Sequence, residues 1–108
     1  MQRASGTALT RLHSACDQLA AIQACVAACP GLRVFGCSAL LVYNAATANG
    51  DANACACVTV KLVDFAHAFF TDAADADANL CAGLAALCAF LRDRIASRLA
   101  QMHAFRDM

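Results

Sequence analysis

Eight cysteines, at positions 16, 25, 29, 37, 55, 57, 81 and 88, are the first groups in the chain that could do chemistry. Their spacing argues against most of it. Cys25-x3-Cys29 and Cys55-Ala56-Cys57 are not the paired CxxC knuckles of a zinc site, and no HxxxH follows them. A secreted disulfide framework would call for a signal peptide, which the N-terminus does not resemble, and the cysteines sit inside periodic stretches instead. They read as small buried hydrophobes in a reducing compartment, with a cysteine-based metal or redox protein as the minor alternative. Oxygen and nitrogen groups that could bind a ligand include Ser38, Asp64 and His67. They lie in two apolar phrases, CSALLVY over 37–43 and VKLVDFAH over 60–67.

Those phrases need elements to position them. Leu9, Leu12, Cys16, Leu19, Ile22 and Val26 recur at spacings of three and four, which predicts an amphipathic helix over 7–29, closed by Pro30-Gly31. Residues 32–43 are β-branched and aromatic between turn signals and read as a strand. NAATANGDAN over 44–53 is a loop. A second strand follows over 57–65, with Val58, Val60 and Leu62 on one face and Thr59 and Lys61 on the other. Two strands joined by one loop pair antiparallel. Asp75, Asp77 and Asn79 are candidate N-caps for a final helix from about Leu80, whose stripe runs Leu84, Leu87, Leu91, Ile95, Leu99 and Met102. Asp72, Asp75 and Asp77 suit the positive end of its dipole, and Arg92, Arg94 and Arg98 lie toward its other end. The expectation is an α+β unit: helix, antiparallel two-stranded hairpin, long C-terminal helix. A hairpin alone is marginal, so it must lean on both helices.

In this order the two phrases resemble the inositol polyphosphate kinase family, most closely its plant-type multikinases, which carry an SSLL-type strand followed by an IDF strand often continued as DFAH. An acidic stretch leading into a DxNxxxGLxxL helix also matches, here Asp77-Ala78-Asn79-Leu80-Cys81-Ala82-Gly83-Leu84-Ala85-Ala86-Leu87. The similarity covers roughly residues 7–96. It implies transfer of the γ-phosphoryl group of ATP to a hydroxyl of an inositol phosphate, on a fold related to the protein kinases, with residues 1–108 as a single partial domain within the C-terminal lobe.

By the resemblance Asp64 is the metal-binding carboxylate that holds Mg2+ against the nucleotide phosphates. A carboxyl of ordinary pKa near 3.9 is ionised at pH 7, and its hard oxygens suit Mg2+. Ser38 matches the serine that opens the SSLL motif, near the nucleotide phosphates and metal, where its hydroxyl could hold Asp64 or a metal-bound water. Ala39 replaces the motif's second serine. His67 matches the position that faces the inositol phosphate, where an imidazole can donate to phosphate oxygens. Lys61 reads as solvated, and His13 and His103 as surface residues on helices.

What the resemblance requires and the sequence lacks sets the expected activity. The family's PxxxDxKxG signature, with its catalytic aspartate and phosphate-binding lysine, does not occur: Pro30 is the sole proline and no DxK is present. No catalytic residue is therefore assigned. The expectation is a fragment or truncated relative of such a kinase, inactive alone, or a non-catalytic interaction module of the same ancestry. VKLVDFAHA also looks like the VKLxDFGxA phrase of protein kinases, but the HRDxxxxN loop and APE segment of that family are missing.

Composition narrows the partners. Eight basic and eight acidic side chains give a formal net charge of zero, which argues against a nucleic-acid surface. No apolar run reaches the length of a membrane span. Arg3 and Arg11 precede the first acid, Asp17, a faint organellar-targeting pattern; the family resemblance instead implies nuclear and cytoplasmic residence. With 61% hydrophobic and 15% charged residues, uncovered apolar helix faces imply association with a partner or a second copy.

Overall fold

A computed structural model of the protein describes residues 2–43 and 58–106, with side chains from 8 to 43 and from 58 to 104. Helix α1 spans Gln2–Ala27. Its last turn tightens: the Ala28 N–H reaches both the Ala24 and Cys25 carbonyls, at 3.1 and 3.2 Å, and the Cys29 N–H bonds the Val26 carbonyl at 3.1 Å. Pro30 then stops the helix, and Gly31, at φ 85°, turns the chain into the sheet region.

Four short strands follow: β1 (Leu32–Val34), β2 (Ser38–Tyr43), β3 (Val58–Val63) and β4 (Ala68–Phe70). The expected hairpin is present as β2 paired antiparallel with β3, Ser38 opposite Val63 and Tyr43 opposite Val58. It continues past its base into a second antiparallel ladder, β1 with β4, Leu32 opposite Phe70 and Val34 opposite Ala68. The reading of 32–43 as one strand is thus corrected: the chain leaves the extended state at Gly36, where φ is 73°. On the other arm it does so at Asp64, so the strand expected to run to residue 65 ends at Val63. Residues 35–37 on one arm face 64–67 on the other, one residue more, which is the count of a bulge. The loop expected over 44–53, and Cys55 and Cys57, lie outside the described residues.

Helix α2 spans Ala78–Arg106, two residues earlier than the apolar stripe alone predicts. The core lies where α1, α2 and the inner face of β3 meet. It is built from Ala15, Cys16, Leu19, Val26, Val60, Leu84, Cys88, Leu91 and Ile95, with Leu9, Leu12, Ile22, Val58, Leu62 and Leu87 packed against it. Leu19 is fully buried, a burial that contributes about 2–3 kcal/mol. The stripe of α2 stops being covered after Ile95, since Leu99 and Met102 are exposed. Thr59 and Lys61 face solvent, as their alternation requires.

The cysteines are less uniform than expected. Of the six described, Cys16 and Cys88 are buried, Cys37 and Cys81 half-buried, and Cys25 and Cys29 exposed; all six are free thiols. Cys16 and Cys88 face each other where the helices meet, each Sγ 3.9 Å from the other's carbonyl oxygen. Burial, reinforced by the neighbouring Cys88, pushes the Cys16 thiol above its ordinary range. Among the described residues no helix is long and apolar enough to cross a membrane.

Candidate functional site

The break between the two ladders is where the chemistry-bearing residues gather. Ser38 opens β2 and stands opposite Val63, so Asp64, the next residue along, sits diagonally beyond it. His67 precedes β4, and its carbonyl accepts the Phe35 N–H at 3.2 Å across the break. Ser38 and Asp64 therefore stand together at the base of the β2–β3 ladder, while His67 lies at the far end of the break, level with Phe35 just before β4. All three are exposed.

Asp64 has an uncommon backbone. Its φ of 72° is the left-handed region, and it is the one non-glycine residue found there among those described. Aspartate enters that region at less cost than most side chains, yet the cost is still on the order of 1 kcal/mol. Such strain persists where neighbouring structure imposes it, and here the two ladders fix the chain on both sides. None of the Ser38, Asp64 and His67 side chains makes a hydrogen bond or ion pair with a described residue. The carboxylate stands with its lone pairs toward solvent, and Ser38 does not hold it.

A second set of residues holds the β1–β4 side of the break in place. Asp77 is buried, and its two carboxylate oxygens do different work. Oδ1 accepts the Leu80 N–H at 3.0 Å as the N-cap of α2, while Oδ2 accepts the Val34 N–H at 2.9 Å from β1. The Val34 bond first, and the Leu80 bond second, hold the Asp77 carboxyl below the usual carboxylate range; burial opposes them. Arg33 pairs with Asp75 at 2.7 Å, and the Gly31 N–H donates to the Asp75 carbonyl at 2.9 Å. Gly31 in turn accepts the Thr71 N–H at 2.7 Å. β1, β4 and the start of α2 are thereby tied into one frame beside Asp64.

Chemically the site offers one hard oxygen donor, one hydroxyl and one imidazole. Among the described residues no three His, Cys, Asp or Glu side chains gather into a metal cage. A single exposed carboxylate does fit Mg2+, which keeps waters and is commonly held by one or two carboxylates together with substrate phosphates. It does not fit a metal that demands a closed protein site. Lys61 lies on the exposed face opposite Leu40, and His13 and His103 are exposed on their helices, all apart from the break.

Sequence reasoning named Asp77 as a cap candidate but missed its bond to Val34, which joins residues 43 apart in the chain. It also missed Gln18, whose side chain binds the outer edge of β3. The glycine inside an otherwise strand-like run, Gly36, was the available signal for the break.

A family model described as inositol polyphosphate kinase matches residues 2–92, a range that holds α1, both ladders and the first half of α2. No curated protein and no solved structure matches the chain.

Proposed function

Starting from a chain that belongs to the inositol polyphosphate kinase family, we propose that it serves ATP-dependent phosphoryl transfer to a hydroxyl of an inositol phosphate. The observation that carries this reading is Asp64: an exposed, unengaged carboxylate in a left-handed backbone at the end of β3. In the proposed roles Asp64 binds Mg2+ together with the phosphate oxygens of ATP, Ser38 lies near the same phosphates, and His67 faces the inositol phosphate. Bound Mg2+ would neutralise charge developing on the transferred group. The kinship proposed within the family is with the plant-type multikinases, residues 1–108 forming part of the C-terminal lobe, with nuclear and cytoplasmic residence.

Activity requires several positioned groups acting together. The 108 residues hold no PxxxDxKxG segment. The chain by itself is therefore expected to bind metal and nucleotide weakly and to transfer no phosphoryl group. A second reading, an interaction module without catalysis, is favoured by one observation. Phe35, Leu40, Leu41, Val42, Tyr43, Phe65, Phe69 and Phe70, all on or beside the strands, are exposed.

Paramagnetic Mn2+, standing in for Mg2+, tests the metal role. With ATP present it is expected to broaden the amide signals of Ser38, Asp64 and Phe65 in the 108-residue chain, and Asp64→Asn is expected to abolish that broadening. Broadening centred on the acidic segment 72–77, or unchanged by Asp64→Asn, overturns the reading. So does phosphorylation of an inositol phosphate by the chain alone, for the part that calls it inactive.

A further inference from the structure

The two outer edges of the β2–β3 ladder are unlike. On β3 the outward groups are the Val58 carbonyl and the Val60 N–H, and one side chain takes both. Gln18 Nε2 donates to the Val58 carbonyl at 2.7 Å, and the Val60 N–H donates to Gln18 Oε1 at 2.9 Å. The α1 glutamine thus closes that edge as a neighbouring strand would.

The same two bonds fix the phase of the opposite edge. In an antiparallel ladder, residues that exchange hydrogen bonds with the partner strand alternate with residues that point away. Since Val58 and Val60 point away, Thr59, Lys61 and Val63 bond inward to Val42, Leu40 and Ser38. On β2 the residues whose N–H and C=O point outward are therefore Ala39, Leu41 and Tyr43. Among the described residues no strand pairs with that edge. Within the strand itself there is neither a charge nor a proline from Ser38 to Tyr43, and the charge at its end is the Arg11 guanidinium, 4.7 Å from the centre of the Tyr43 ring. Leu40, Val42 and Tyr43 are 48%, 54% and 56% exposed.

We propose that this edge pairs antiparallel with the same edge of a second copy, about a two-fold axis at Leu41. Leu41 then stands opposite Leu41 of the other copy, and Tyr43 opposite Ala39. The commitment to a second copy rests on self-complementarity in three respects. Hydrogen bonding is matched, because this register engages all three outward residues of each strand in about six bonds, whereas a slip of two residues leaves fewer. Size is matched, because the largest side chain of the strand meets the smallest apolar one. Charge is matched, because Lys61 falls level with Thr59 of the other copy rather than with its Lys61, and the chain has no net charge to hold copies apart.

The area sets the strength. Leu40, Leu41, Val42 and Tyr43 expose roughly 400 Å2 per copy, so a pair covers at most about 800 Å2, less than the ~1,200 Å2 at which stable interfaces begin. The association is thus reversible and concentration-dependent. It rests on the hairpin alone and holds whether or not the kinase reading does.

The test is sedimentation of the 108-residue chain from about 10 μM to about 1 mM, with amide exchange followed at both ends of the range. The weight-average mass is expected to climb from 11.2 kDa toward twice that value. Over the same range the Ala39, Leu41 and Tyr43 amides should slow about tenfold relative to dilute protein, while those of Leu40 and Val42 stay protected throughout. Two variants, Leu41→Pro and Val42→Lys, should leave the chain folded and monomeric. Proline removes an N–H the β3 ladder does not use, and the lysine sits on an exposed face. A chain that stays monomeric at the highest concentration overturns the proposal, as does a dimer that persists in both folded variants. Protection of the three amides in dilute monomer would mean that a segment of the chain covers the edge, and mass growing past the dimer would mean open-ended stacking. Either also overturns it.

Discussion

Gly36 and Asp64 make the same left-handed excursion, φ 73° and 72°, on opposite arms of the hairpin where its two ladders part. Glycine adopts that conformation freely, and aspartate does not. Gly36 also has open space where a Cβ would be. The strain is thus concentrated on the arm that carries the carboxylate, and the residue proposed to bind metal is one whose backbone a glycine would suit better.

Replacing Asp64 by glycine should therefore stabilise the protein, by about 0.5–1 kcal/mol, even though it removes the proposed ligand. A thermal melt several degrees above wild type, with the Mn2+ and ATP response gone, is the expected pair of results. A lower melting temperature would show that the carboxylate contributes to the fold, and that its exposed placement has been misread.

Asp77 makes stability depend on pH in a defined direction. Its carboxyl is held below the ordinary range in the folded chain, while in the unfolded chain it titrates near 3.9. The ionised form is thus favoured by folding. Its contribution is complete above the unfolded value and is lost as pH falls through the folded one. Denaturant titrations from pH 6 downward should show stability falling below about pH 4. Asp77→Asn should flatten that fall and cost about 1–2 kcal/mol at neutral pH, because an amide can cap α2 through its oxygen but leaves the Val34 N–H without a carboxylate.

Helix faces, the α2 cap and the β2–β3 pairing were legible because each is a local pattern. Leu12, Cys16, Leu19 and Val26 declare one face of α1 by their spacing, and Val58, Val60 and Leu62 one face of β3. The family resemblance rested on the same local phrases and led to Ser38, Asp64 and His67, which border the break between the ladders, Ser38 and Asp64 at one end of it and His67 at the other. What escaped was non-local or conformational. A residue at positive φ leaves no periodic trace, so a run of β-formers from Leu32 to Tyr43 hides its interruption. Gln18, on the polar side of an amphipathic helix, looks like any solvated residue until β3 is placed beside it. The second ladder escaped because Ala68, Phe69 and Phe70 are too few to show alternation, and all three are exposed.

Gly31 is constrained more tightly than either residue at the break. At φ 85° a side chain is already disfavoured, and a Cβ there would lie 2.5 Å from the Thr71 carbonyl oxygen, a backbone atom that cannot turn aside. Thr71 is also bonded to Gly31 through both its N–H and its hydroxyl, so yielding would break the tie between β1 and β4. Gly31→Ala should destabilise by roughly 2 kcal/mol or more, and amide exchange should quicken over Leu32–Val34 and Ala68–Phe70 ahead of the helices. An unchanged melt would mean that this turn is not under the constraint its geometry implies.

Gln18 tests whether a side chain can stand in for a strand. Besides its bonds to Val58 and Val60, its Nε2 lies 3.0 Å from Ser14 Oγ, which fixes the amide in place on α1. Gln18→Ala leaves the Val60 N–H and the Val58 carbonyl without partners at a half-buried edge, a loss of about 1–3 kcal/mol. Gln18→Glu separates hydrogen bonding from packing. A carboxylate still accepts from Val60, but it turns an acceptor toward the Val58 carbonyl, so it should recover only part of the loss. Exchange at the Val60 amide is the direct readout: fast in Gln18→Ala, intermediate in Gln18→Glu, slow in wild type. If that amide stays equally protected in all three, α1 shields the edge by covering it and the glutamine bonds are incidental.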